Sequence, residues 1–145
     1  PQLFLGIVFN WGVLIVSMQF NNYLSLSFII LYIGCIFWTL AYDTIYAYQD
    51  LEDDIKSNIK STAILFGNNG KIYVMIFFTI FLIIAGYTGF QKSSSIISIF
   101  VIVLFLFVTM YYCNKWDINS KKSSNYFFRI NNLFGLLCFI YLFIF

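Results

Sequence analysis

Five of the chain's six carboxylates fall within one short stretch, Tyr42-Asp43-Thr44-Ile45-Tyr46-Ala47-Tyr48-Gln49-Asp50-Leu51-Glu52-Asp53-Asp54-Ile55-Lys56. On a helix that continues to about residue 57, at about 100° per residue, Asp50 lies about 20° behind Asp43 and Asp54 about 20° ahead of it. Asp43, Asp50 and Asp54 then form one stripe, flanked by Tyr46 and Ser57, while Glu52 and Lys56 point away. Stacked carboxylates repel one another unless a cation sits between them. Their oxygens are hard ligands of the kind Mg²⁺ takes together with substrate phosphates. Lys56 and Lys60 are close enough in sequence to hold phosphate oxygens as point charges. The pattern points to a Mg²⁺–phosphate site. The plain alternatives are a solvated acidic linker and lysines that only anchor the chain at a membrane surface. A calcium loop of the EF-hand type is excluded, because Ile55 stands where glycine is required and Ser61 where the closing glutamate is required.

The surroundings of this segment are apolar. Of 145 residues, 61% are hydrophobic, 23% aromatic and only 10% charged, and the mean hydropathy is +0.87. A soluble domain carries about 25% charged residues, so too few polar side chains remain here to cover a water-facing surface. The composition excludes a soluble globule, a disordered tail and a nucleic-acid binder, and implies an integral membrane protein. With no histidine, imidazole catalysis and imidazole metal ligation are excluded. Cys35, Cys113 and Cys138 lie far apart in or beside apolar runs and read as packing residues.

A bilayer core takes about 20 apolar residues per helical crossing. Five segments qualify, at about residues 3–20, 24–46, 71–90, 95–113 and 126–145, the first weakened by Asn10. None alternates as barrel strands do, so the fold class is all-α, a polytopic transmembrane helix bundle. Asp43 falls at or below the membrane surface, where an ionisable group is costly and marks function by default. Gly67 to Gly70 closes the long polar linker as a helix stop and turn. Five crossings put the linkers at 47–70 and 114–125 on one side, with Lys56, Lys60, Lys71, Lys115, Lys121, Lys122 and Arg129 in or beside them; only Lys92 falls on the other. This bias places both linkers in the cytoplasm or its mitochondrial equivalent, the matrix. Tyr23, Trp38, Tyr42, Tyr73, Tyr111, Tyr112 and Trp116 lie mostly near segment ends, as an interfacial aromatic belt would.

The segment Trp38-Thr39-Leu40-Ala41-Tyr42-Asp43-Thr44-Ile45-Tyr46-Ala47, then Asp50-Leu51-Glu52-Asp53-Asp54-Ile55-Lys56, then Ile59-Lys60-Ser61-Thr62-Ala63-Ile64-Leu65-Phe66-Gly67, closely resembles the second aspartate-rich motif of UbiA-type prenyltransferases. Within that family it is most similar to the 4-hydroxybenzoate polyprenyltransferase branch of ubiquinone biosynthesis. Pro1-Gln2 with Leu5-Gly6, and Asn131-Asn132 with Gly135, match flanking positions. The resemblance covers the whole chain, but only the C-terminal part of the family's bundle of about nine helices. It implies an enzyme of the bacterial or mitochondrial inner membrane that transfers a polyprenyl group from a polyprenyl diphosphate to the ring of 4-hydroxybenzoate with Mg²⁺.

Carried over by position, Asp50 and Asp54 correspond to the metal-binding pair, and Asp43 and Tyr46 to a lead-in that lines the pocket. Lys56 and Lys60 correspond to basic positions near the diphosphate, and Asn132 to an amide on the last helix. The family's first aspartate-rich motif has no counterpart, since residues 1–42 carry no charge. The expectation is half of an active site, inactive without an N-terminal half. Asn10 stands where a small residue is expected. Rival readings are a UbiA-type enzyme with another acceptor (homogentisate, a naphthoate or haem), or a non-enzymatic membrane subunit or transporter fragment whose acidic residues point apart into water.

Overall fold

A computed structural model describes all 145 residues and contains helices and turns but no strand. The helices are α1 (Gln2–Phe9), α2 (Trp11–Asn21), α3 (Leu26–Gln49), α4 (Leu51–Lys56), α5 (Thr62–Phe66), α6 (Gly70–Ser93), α7 (Ile96–Lys115) and α8 (Lys121–Ile144). A 3₁₀ turn at Gly67–Asn69 joins α5 to α6. Five stretches are long and apolar enough to cross a membrane: Gln2–Asn21, Leu26–Gln49, Thr62–Ser93, Ile96–Lys115 and Lys121–Ile144. The outward faces carry large apolar side chains, among them Phe20, Ile96, Phe100, Phe107 and Phe143. A bilayer supplies the apolar cover that these faces need. This is an integral membrane protein built as an all-α bundle.

The third helix, α3, is the hub, packing against α6 and α8 and against α1 and α2. The largest buried cluster gathers Ala41, Ile45 and Tyr48 of α3 with Val74 and Phe78 of α6, Trp116, and Phe127 and Phe134 of α8. It lies toward the end of the bundle where α3 meets the acidic segment. Small α3 residues let the neighbouring helices approach there, and aromatic residues fill the space between them. Trp116 is fully covered, standing edge-on to Tyr48 at 5.3 Å between ring centres and donating its indole N–H to Ser124 Oγ over 3.0 Å. The three cysteines are unpaired, and Cys113 and Cys138 are buried.

Two breaks shape the path of the chain. The first crossing divides at Asn10, whose Nδ2 donates to Gly6 O at 2.7 Å, to Thr39 Oγ1 at 2.9 Å and to Cys35 O at 3.3 Å. A side chain that satisfies the carbonyl four residues back, and then reaches α3, holds the helix at its bend. The second break corrects the expectation of an unbroken helix to residue 57. The long helix ends at Gln49; Asp50 leaves helical geometry at φ −100° and ψ 8°, and its carbonyl accepts from both Asp53 N and Asp54 N at 3.0 and 2.9 Å. The chain therefore turns at Asp50 and starts α4, so the acidic stripe is bent at its middle carboxylate.

Candidate functional site

The acidic segment and the linker after it, through Gly67, form the end of the bundle, which is tied together by bonds from α1, α3 and α8. From α1, Gln2 is buried and its Oε1 accepts from Thr62 N at 3.1 Å. From α3, Thr44 Oγ1 donates to Thr62 Oγ1 at 2.9 Å, and the Tyr48 hydroxyl donates to Gly67 O. From α8, Lys121 Nζ meets Glu52 Oε2 at 2.9 Å. The Lys121 hydrogen bond and charge hold the Glu52 carboxyl below its ordinary value. Glu52 is engaged by Lys121, which also lines the recess that holds Asp50.

Tyr46 is partly exposed, with its hydroxyl beside Asp50 and within the field of Asp43 and Asp54. Asp43 is half-buried one turn earlier, and its Oδ2 is covered without a hydrogen-bond partner. Asp50 and Asp54 diverge at the bend. Asp50 lines a recess of about 500 Å³ with Gln49 and Asp53 on one wall and Lys121, Lys122, Asn125, Tyr126 and Arg129 of α8 on the other. Asp54 lines a second cavity of about 660 Å³ with Lys60, Ser61 and Thr62 of the linker and Pro1 and Gln2. Lys60 thus shares a cavity with Asp54, whereas Lys56 stands in solvent 3.8 Å from Asp53 Oδ1. No three carboxylate or cysteine side chains converge to hold a metal by themselves. Asp50 and Asp54 therefore do not form the single stripe expected of an unbroken helix, and as placed here they line separate cavities.

Deeper along the seam between α3 and α8 the lining changes from charge to rings. Tyr46 packs on Phe128 at 5.2 Å between centres and Tyr42 on Phe128 at 6.1 Å. Below them lies a cavity of about 380 Å³ lined by Trp38, Tyr42, Phe128, Asn131, Asn132 and Gly135. Asn132 is therefore apart from the carboxylates and at the aromatic end of the seam. Sequence reasoning treated Arg129, Lys121 and Lys122 only as topological charges and did not pair them with Asp50. Their distance along the chain hid a proximity that only the packing of α8 on α3 creates.

Residues 1–140 match the UbiA prenyltransferase family. The chain belongs to that family. Among curated relatives, it is 34% identical over 142 residues to the 4-hydroxybenzoate octaprenyltransferase of Blochmanniella pennsylvanica, covering 97% of this chain and 49% of the relative. It is 35% identical over 143 residues to the 4-hydroxybenzoate octaprenyltransferase of Francisella tularensis subsp. mediasiatica, with 97% and 49% covered. With the mitochondrial 4-hydroxybenzoate polyprenyltransferase of Arabidopsis thaliana the identity is 42% over 103 residues, covering 66% of this chain and 25% of the relative. This UbiA-family chain spans about half the length, or less, of these relatives. No solved structure matches it.

Proposed function

We propose that this chain is the C-terminal part of an inner-membrane prenyltransferase that moves a polyprenyl group from its diphosphate to the ring of 4-hydroxybenzoate, in the formation of ubiquinone. The observation that carries this reading is the acidic segment itself: Asp50 and Asp54 sit at the end of a membrane bundle, with Tyr46 beside Asp50, Lys60 beside Asp54 and an aromatic seam beneath. The family match and the relatives' names support the choice of donor and acceptor.

In this reading Asp50 and Asp54 are the residues that would hold Mg²⁺ once the bend between them closes on the substrate's phosphates. When bound, the ion would neutralise the diphosphate and make it a better leaving group. Lys60 draws phosphate oxygens toward the mouth of the bundle. Tyr46 orients the Asp50 carboxylate. The prenyl C–O bond breaks with its electron pair on the diphosphate, a ring carbon ortho to the acceptor's hydroxyl bonds to the prenyl carbon, and that ring carbon loses its proton. The apolar bundle excludes the water that would otherwise trap an allylic cation. Residues 1–42 hold no carboxylate, so the opposing acidic residues come from an N-terminal segment, in keeping with relatives twice as long.

The test is Mg²⁺-dependent transfer from a polyprenyl diphosphate to 4-hydroxybenzoate in membranes holding this chain together with the N-terminal half of the Francisella relative. Activity is expected from the pair and not from either half. Asp50→Ala should lower it at least about a hundredfold, the scale seen on removing one preorganised electrostatic group. Full activity in Asp50→Ala, with unchanged Mg²⁺ dependence, would overturn the assignment.

A further inference from the structure

The short helix α4 is the least anchored part of the acidic segment. None of its residues is buried. Leu51 leans on the main core cluster, and the side-chain bond from α4 to another helix is that of Glu52 Oε2 with Lys121 Nζ at 2.9 Å. The other ion pair of α4, Asp53 with Lys56 at 3.8 Å, stays within it. The backbone turns on both sides of α4. Asp50 has φ −100° and ψ 8°, and Asn58, just past the helix, has a left-handed φ of 54°. Residues at the ends of elements are the ones that absorb large dihedral changes. Lys121, by contrast, stands on a fixed base. Ser120 Oγ caps α8 by accepting from Ser123 N at 3.3 Å, Ser123 Oγ accepts from Asp117 N at 3.0 Å, and Ser124 Oγ accepts from the buried Trp116 indole. Of the two partners, Lys121 is held in place and Glu52 is the one that can leave.

The position in which α4 is held is not the one that metal–phosphate chemistry needs. Ligand oxygens lie about 2.0–2.1 Å from a Mg²⁺ ion, so Asp50 and Asp54 would have to converge on it; here they line separate cavities. Lys121 lines the recess of Asp50 while it is bonded to Glu52. Lys122 and Arg129 line the same recess with no carboxylate within ion-pair distance. A phosphate that enters there competes with Glu52 for Lys121, because both anions seek the same ammonium group. The side chains of Glu52 and Lys121 are 69% and 49% exposed, so water screens their bond and a multiply charged anion outmatches it.

Resting on the prenyl-transfer reading, we propose that Glu52 is a stand-in for the donor's phosphate: paired with Lys121 it latches α4 in an open position, and a phosphate that takes Lys121 frees α4 to turn about Asp50 and Asn58 and bring Asp54 toward Asp50. The two partners of one ion pair then act on the donor with opposite signs. Glu52 opposes its binding and Lys121 favours it. A bridge that only braced the fold would give both partners the same sign.

The experiment follows α4 first and the donor second. Nitroxides at Ile55 and Asn119, on this chain without its native cysteines and in nanodiscs, report the distance from α4 to the start of α8 by pulsed electron paramagnetic resonance. The unlatched variant differs from the parent: the parent should give one narrow distance, and Glu52→Gln should spread it. The charge exchange, Glu52→Lys with Lys121→Glu, should narrow it again. In membranes that also hold the N-terminal half of the Francisella relative, Glu52→Gln should lower KM for a polyprenyl diphosphate about two- to fivefold, the worth of one exposed ion pair, with kcat unchanged. Lys121→Gln should raise KM, and so should the charge exchange, since a carboxylate then faces the recess. An unchanged narrow distance in Glu52→Gln overturns the latch. So do KM shifts of one sign in the two single variants. If no combination transfers a prenyl group, the prenyl-transfer reading falls, and the distances alone decide whether α4 is latched.

Discussion

Tyr48 and Gly70 show how closely the site end of the bundle is drawn together. The Tyr48 ring lies so near Gly70 that any Cβ there would fall inside it. The ring cannot swing aside: it is buried, its hydroxyl donates to Gly67 O, and Trp116 stands edge-on against it. Gly70→Ala should therefore cost about 1–3 kcal/mol, as overpacking of a filled core does. Gly12, with nothing near its Cβ position, provides the control; Gly12→Ala should be neutral or stabilising by up to about 1 kcal/mol. Thermal unfolding of the purified chain in detergent measures both, and an unchanged midpoint in Gly70→Ala would mean that the ring moves freely. In the sequence, Gly67 to Gly70 was legible as a stop and turn. The reason for glycine at 70 was not, because the obstructing ring comes from another helix.

At the scale of elements, the length of the apolar runs located the five spans and placed the carboxylates at the end of the second. The assumption of an unbroken helix failed at Asp50. Asp50 leaves helical geometry without a proline or glycine to announce it and becomes the start of α4, and Asp50 and Asp54 line different cavities. Asn10 was legible as a weak point, since an amide inside an apolar run either finds a partner or breaks the helix; here it does both. The junction of α4 with α8 is the test of this arrangement. Lys121 and Glu52 are joined over 2.9 Å, on linkers far apart in sequence. With its pKa lowered by Lys121, Glu52 stays charged to a lower pH than an ordinary carboxylate. The ion pair is present above the ordinary carboxylate range and is lost only as the pH falls through the lowered value. Carbodiimide treatment at about pH 6 should therefore couple the peptide containing Glu52 to that containing Lys121. Mass spectrometry reads the product, which should vanish in Lys121→Gln. Equal coupling in that variant would place the two linkers differently.

For the whole molecule, composition alone decided between water and lipid, and the family followed from one motif. What composition left open was which ends of the helices face each side of the bilayer. The structure groups the ends physically: Lys121 meets Glu52, and Lys71 donates to Asn114 O over 3.1 Å, at one end. At the other end, Lys92 donates to Phe143 O over 3.1 Å and covers the last carbonyls of α8. Seven of the eight basic residues therefore gather at the end that carries the acidic segment. Cationic loops remain on the cytoplasmic side during insertion, so that end should face the cytoplasm. The prediction is read with single cysteines at Asn58, Asn119 and Ser94 in a background where Cys35, Cys113 and Cys138 are replaced. In right-side-out vesicles an impermeant maleimide should label position 94 alone, and in inverted vesicles positions 58 and 119 alone. Labelling of 58 and 119 on opposite sides would break the five-crossing topology itself. The reverse pattern for all three would keep the bundle but turn it over, with the acidic segment on the outer side.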